Sequence, residues 1–211
     1  GYRHTTLNFK GGLQATENVA LDIVVRRTKD RVELDAGGAD STATADTEQK
    51  FNRMGVSWGT LAGRWRHGVS VSDAKTERVY VSPGYTSTDM GDKRKYAYQT
   101  DYFLTHDNND QHLTLALETE QESHNSTTMD TRSVVTEYGI NFSDTYHINA
   151  AARYDHNSLF KDAATSHVNV SSWLSDAWRL HTSMGEGIKN PTTVELFGYG
   201  LTYSGNVNLR P

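Results

Sequence analysis

His112-Leu113-Thr114-Leu115-Ala116-Leu117-Glu118 sets three leucines on one side of an extended chain and Thr114, Ala116 and Glu118 on the other. Successive side chains of a strand point to opposite faces, so a strict period of two marks a strand with one apolar and one wet side. The pattern returns in both directions from this stretch. Thr136-Glu137-Tyr138-Gly139-Ile140-Asn141-Phe142 alternates in the same way, as does Tyr146-His147-Ile148-Asn149-Ala150-Ala151-Ala152-Arg153-Tyr154-Asp155. Leu21, Ile23 and Val25 repeat it, and so do Met54, Val56 and Trp58. Ser166 to Leu174 obeys less well: Val168 and Val170 share a parity that Trp173 breaks, which a bulge would reconcile.

The connections give the second signal. Short turns are expected at Ala15–Asn18, Ala62–Arg64, Asp107–Asp110, Ser143–Thr145 and Ser175–Ala177. Longer polar stretches are expected to be loops between them, at Lys29–Glu48, Ser82–Asp92, Ser123–Asp130, Asn157–Ala163 and Lys189–Pro211. About ten strands joined alternately by tight turns and looser loops form an up-and-down meander. The runs Lys93–His106 and Gln111–Glu122 exceed the ~5–6 residues of an ordinary strand and fit a tilted bilayer crossing. Aromatic residues gather beside the short turns: Trp58 with Trp65, Phe142 with Tyr146, and Trp173 with Trp178. Indole and phenol rings favour the headgroup boundary, so this placement predicts an interfacial girdle.

The charges decide which face meets what. Asp22, Asp101, Glu118, Glu137, Arg153 and Arg179 sit mid-strand on the polar faces, too many for a dry core. No helical period supplies a layer to cover the apolar faces. Apolar outward to lipid and polar inward to water satisfies both sides. The expected fold is therefore all-β, a transmembrane antiparallel up-and-down barrel. In hydrocarbon such a sheet has to close. A charge at Leu115 is then expected to cost far more than one at Glu118.

Composition agrees and excludes other classes. The 211 residues are 36% hydrophobic and 22% charged, with a net charge of −5, so a phosphate-tracking nucleic-acid surface is not expected. The absence of Cys excludes a disulfide scaffold and a thiolate metal site. The densest His cluster, His106-Asp107-Asn108-Asn109-Asp110-Gln111-His112, lacks the Gly and closing Glu of a calcium loop and reads as a hairpin turn. No HExxH, GxSxG or P-loop occurs. No catalytic residue, metal or cofactor is expected. The acidic stretch from Asp30 to Glu48 reads as a solvated face.

The last third carries a resemblance. Ile148-Asn149-Ala150-Ala151-Ala152-Arg153-Tyr154-Asp155 is followed by Met184-Gly185-Glu186-Gly187-Ile188-Lys189-Asn190-Pro191, by Glu195-Leu196-Phe197-Gly198 and by Gly205-Asn206-Val207-Asn208-Leu209-Arg210-Pro211. In this order the string resembles the barrel of the TonB-dependent outer-membrane receptors, with Ile188 in place of an aromatic and Val207 in place of a proline. The resemblance implies a barrel of about 22 strands around an N-terminal plug. It also implies contact with the TonB complex in the periplasm, a Gram-negative outer-membrane location among lipid, and import of a scarce chelate. Ferric siderophore is the first expectation and cobalamin the second. On this reading residues 1–211 are a partial barrel domain without plug or C-terminal strands, since the chain opens on a strand and stops in a loop.

The motif residues Gly185, Gly187, Lys189, Asn190, Pro191, Glu195, Leu196, Phe197, Gly198, Asn206, Asn208 and Pro211 are expected to be chiefly architectural. Gly185 and Gly187 would relax the strand, Pro191 would end its pairing, and Asn190 and Glu195 would hold the loop by hydrogen bonds. Ligand contact is expected from loop aromatics, Tyr85, Tyr199 and Tyr203, because chelate surfaces are broad and apolar. A passive porin and a soluble carbohydrate-binding or adhesive module remain as alternatives.

Overall fold

The structure is a computed structural model that describes residues 1–36, 39–106, 109–124, 127–142, 145–198 and 204–211. Ten strands follow one another: β1 (Tyr2–Thr16), β2 (Val19–Ala36), β3 (Ala39–Thr60), β4 (Trp65–Ser82), β5 (Tyr85–His106), β6 (Asn109–His124), β7 (Thr127–Phe142), β8 (Tyr146–Asn157), β9 (Ala163–Ser175) and β10 (Trp178–Gly185). Each pairs antiparallel with the next in a single sheet ordered β1 to β10, with no crossover. The expected meander is therefore present, strand for strand.

Register puts the two faces where the alternation predicted. Leu21 lies opposite Val56, Val56 opposite Val69, Val69 opposite Tyr98, Tyr98 opposite Leu117, and Leu117 opposite Val134. Among the described residues nothing packs over this continuous apolar face: Leu113 is 46% exposed and Met54 60%. The small residues of the other face, Ala45, Ala116 and Ser133, are buried under their long polar neighbours. A concavity of about 1180 Å³ lies along the apolar face between Leu13, Leu21, Met54, Val56 and Tyr96.

Three expected loops are strand instead. β2 and β3 run through most of Lys29–Glu48, β4 and β5 leave only Pro83 and Gly84 between them, and β6 and β7 enter Ser123–Asp130. Strand pairing needs only backbone groups, so outside hydrocarbon both faces can be polar and the alternation signal disappears. Cross-strand ion pairs replace it there: Lys29–Glu48 at 3.8 Å and Arg31–Asp46 at 3.8 Å. Gly84, at φ 76°, takes the left-handed turn position that a side chain would strain. The strands consequently differ in height. β3 and β5 have 22 residues each and β8 only 12, or about 70 Å against about 40 Å along the strand.

Trp58, Trp65, Tyr102, Phe142 and Tyr146 line the short-turn end of the apolar face, and Trp65 meets Tyr102 edge-on with centroids 6.3 Å apart. Trp173 does not join them. Ser175 pairs with Trp178 and Trp173 with Arg179, which leaves Leu174 as the bulged residue, one position beyond Trp173. Trp173 therefore keeps the polar face, under the Arg179 guanidinium at 5.4 Å.

Candidate functional site

The polar face carries a ladder of charge-assisted contacts climbing from mid-strand to the long end. Arg153 bonds Asp155 at 2.9 Å, Glu118 at 3.0 Å and Ser133 at 2.7 Å. Glu118 also takes Lys95 at 2.7 Å, and Lys93 bridges Glu120 at 2.7 Å and Glu122 at 3.7 Å. The register makes this possible. Lys95 faces Glu120 across β5 and β6, so each lysine reaches acids one step up or down the neighbouring strand. Lower on the same face, Glu137 accepts from Asn149 at 2.7 Å and meets His112 at 3.3 Å.

Small residues let the large polar groups lie flat on this face. Asp22 rests on Gly55, His112 on Gly139 and His167 on Gly185, where any Cβ would strike the group above. Gly185 is thus the seat of a histidine ring, while Gly187 has open space around it.

At the long end the ladder meets a roof. α1 (Thr193–Phe197) contacts β6 and β7, and the fully buried Thr193 donates to Glu122 at 3.3 Å. Thr192 and Glu195 form a reciprocal cap: the Thr192 hydroxyl accepts from the Glu195 N–H at 3.1 Å, and the Glu195 carboxylate accepts from the Thr192 N–H at 2.8 Å. That N–H, then Lys189 at 3.2 Å, holds the Glu195 carboxyl below its ordinary range. This helix was not expected, although Thr-x-x-Glu at 192–195 is the capping signature that announces it. Beneath α1 lies a cavity of about 470 Å³ with Arg78, Asp89, Lys93, Glu122 and His124 in its walls. Asp89 faces Arg78 in register, yet its buried Oδ1 has no hydrogen-bond partner among the described residues.

The motif residues are gathered around this roof. Pro191 and Leu196 are buried, Phe197 is exposed, and Gly198 ends α1 at φ 73°. The Asn206 N–H donates to the Glu195 carbonyl at 2.9 Å, and the Asn206 side chain accepts from the Asn208 N–H at 3.0 Å. Gly205 packs so closely on the backbone of Leu196 and Gly198 that no Cβ fits. Pro211 is exposed at the end of this segment.

Two expectations need correction. Asn190 Oδ1 is buried without a hydrogen-bond partner among the described residues, so of the proposed pair Glu195 does the holding. Pairing of β10 stops at Glu186, whose N–H reaches Ser166 at 2.8 Å, before the chain arrives at Pro191. Tyr85 stands at the β4–β5 tip on the polar face, its ring 6.1 Å from Tyr80 and on the same strand side as Asp89 and Lys93. Tyr199 and Tyr203 lie outside the described residues. Among the described residues no group of three His, Asp or Glu is placed to hold a metal ion.

A family model described as TonB dependent receptor-like, beta-barrel, matches residues 1–211. The chain belongs to this family. Solved structures share the fold. The siderophore receptor PirA from Pseudomonas aeruginosa superposes with a TM-score of 0.82 at 15% identity, over 100% of this chain and 41% of that one. The ferric enterobactin receptor PfeA from the same organism, a Q482A mutant in complex with enterobactin, gives 0.79 at 12% identity over 93% and 35%. The RagAB peptide transporter gives 0.64 at 10% identity over 99% and 37%. The chain thus spans well under half the length of these relatives. No curated protein sequence matches it. Barrels of this family are outer-membrane proteins, in which a polar strand face lines the lumen and an apolar face meets lipid.

Proposed function

We propose that the chain is part of the wall of an outer-membrane receptor that imports a scarce chelate in a TonB-dependent step, a ferric siderophore first and cobalamin as the alternative cargo. The reading rests on one observation, the charged lumen ladder that ends in the roofed cavity at the long-strand end. Arg78 and Lys93 offer cations to an anionic chelate there, and Tyr85 stands above them at the rim. Several structural relatives are siderophore receptors, which supports the same cargo class.

The mechanism needs no bond chemistry. The rim captures cargo at low concentration, the cavity holds it, and the lumen ladder passes it inward. The wall contributes rigidity, since hydrogen bonds between strands strengthen where no water competes. The free edges of β1 and β10 cannot face hydrocarbon, so the barrel needs further strands to close it, and the family resemblance implies the N-terminal plug that fills it. That plug carries the contact to TonB.

Growth of a receptor-deficient Gram-negative strain tests the reading. The receptor carrying this chain is expected to restore growth on a ferric siderophore as sole iron source and to lose that ability without TonB. Uptake that persists without TonB would instead identify a passive porin. Rescue on cobalamin alone would replace the cargo.

A further inference from the structure

At the long-strand end of the polar face three unlike groups meet at one oxygen. Leu13 lies opposite Leu21 on the apolar side, so the even positions of β1, among them Tyr2, His4 and Thr6, take the polar side. His4 stands opposite Asp30 in register, and Tyr2 is one step up the same face. The Tyr2 hydroxyl donates to Asp30 Oδ1 at 3.0 Å, and His4 Nδ1 bonds the same Oδ1. The two rings lie stacked beside the carboxylate, with centroids 6.2 Å apart. A phenol thus completes a set that His and Asp alone leave short.

The imidazole is braced from behind. His4 Nε2 meets Thr6 Oγ1 at 2.9 Å, and Thr6 Oγ1 meets Thr28 Oγ1 at 3.3 Å. Thr28 is buried, which anchors this relay in the sheet. With the ring proton on Nε2, Thr6 accepts it and donates its own to Thr28, and the Nδ1 lone pair is left aimed at Asp30. Metal-binding imidazoles are fixed in this way, through a hydrogen bond from the ring nitrogen that does not ligate.

Asp30 has no permanent cation to satisfy it. Its polar-face neighbours on β2 are Thr28 and Val32, and Thr47 faces it across β3. Among the described residues its ionic contact is His4, and no Lys or Arg pairs with it. The Asp30 side chain is 22% exposed and that of His4 46%, so an ion from solvent can reach both. Donors held about 2.0–2.1 Å from a four-coordinate ion stand about 3 Å from one another, which is the spacing between Tyr2 and Asp30. A second Tyr-x-His pair, Tyr154 and His156, meets Asp162 on the opposite face of the sheet, but its contacts are split. Tyr154 donates to Oδ2, and His156 bonds Oδ1 at 2.7 Å. At Tyr2, His4 and Asp30 the three groups share one point.

We propose that Tyr2, His4 and Asp30 bind a divalent transition-metal ion, Cu(II) before the others, and so fasten β1 to β2. Phenol oxygen, imidazole nitrogen and carboxylate oxygen form an N,O set whose affinities peak at Cu(II). The ion displaces the Tyr2 hydroxyl proton to solvent and leaves His4 with its proton on Nε2. The site is independent of the cargo, so failure of growth rescue would leave it intact.

The test titrates the full-length receptor in neutral detergent with Cu(II), with glycine present to hold back weak surface binding. Heat and the phenolate-to-Cu(II) charge-transfer absorption are followed together. One equivalent that carries this absorption is expected, with Zn(II) binding more weakly at the same place and Mn(II) more weakly still. His4→Ala is expected to remove that equivalent, and Tyr2→Phe to remove the absorption and weaken binding. Thr6→Val, which removes only the brace behind His4, is expected to weaken binding about 10- to 100-fold. His156→Ala is expected to change nothing. No absorption in the unaltered receptor, or an absorbing equivalent that survives His4→Ala, overturns the site. Loss on His156→Ala places the ion at Asp162 instead and overturns it too. Heat-modified gel mobility checks that each variant is folded. If His4→Ala is not, Tyr2→Phe and Thr6→Val carry the test, and unchanged absorption and affinity in both overturns the proposal.

Discussion

Placing an arginine at Leu115 tests the assignment of faces directly. Leu115 sits between Leu113 and Leu117 on β6 and opposite Thr100 and Thr136 on the neighbouring strands, with no carboxylate among these outward neighbours. The nearest polar outward residue below it on β6 is Gln111, four residues or about 13 Å along the strand, too far for the guanidinium to reach water easily. A cation at midplane depth costs ~2–4 kcal/mol, which lowers the folding equilibrium constant about 30- to 700-fold. Thr114→Arg is the matched control, one residue away on the lumen face. Thr114 already donates to Asp101 at 2.6 Å and faces Glu137 in register, so the new cation lands between two acids. Its net cost is expected within ~1 kcal/mol, since one hydrogen bond is lost and an ion pair gained. Denaturant titrations of the intact receptor refolded into lipid vesicles measure both. Equal penalties, or a larger one for Thr114→Arg, would refute the facing. Glu118→Lys, which the alternation alone marks as benign, is a poor control because Glu118 lies between Lys95 and Arg153.

Arg153→Met would strip Glu118, Asp155 and Ser133 of one shared donor and is expected to cost ~1–3 kcal/mol in the same titration. Gly139→Leu would lift the His112 ring off its seat and away from Glu137, with an expected cost of ~1–3 kcal/mol from overpacking. Gly205→Ala would force residues 204–206 off α1 and break the Asn206–Glu195 bond, which limited proteolysis should register as faster cleavage in residues 186–211. Glu195 is held below its reference value of 4.5 by the Thr192 N–H and Lys189, so its contribution is present above that value and lost as pH falls through the lower, folded one. Protease protection of α1 should therefore fade below about pH 4.5 in the native protein, and Glu195→Gln should flatten that dependence.

The sheet was legible wherever lipid imposes a contrast between faces. Leu113, Leu115 and Leu117 announce β6 because hydrocarbon demands apolar groups on every second position. Above the bilayer that demand stops, and Lys29–Glu48 reads as loop although most of it is paired strand. Trp173 misled for another reason: its ring lies under Arg179 on the lumen face, an attraction that sequence parity does not display. The roof was half legible. Glu195 and Lys189 were marked by the motif, while Arg78, Asp89, Lys93 and Glu122 come together only through register across three strands. An isolated arginine or lysine in a polar strand carries no mark of the cavity it will line.

Because the hairpins stay hydrogen-bonded almost to their tips, the exterior of this receptor is a stiff collar. Antibodies, phage or proteases arriving from outside meet backbone already committed to its neighbours. Among the described residues, an epitope tag could be spliced in without unzipping the collar at the Pro83–Gly84 tip and within 159–162, where no strand pairing has to be broken.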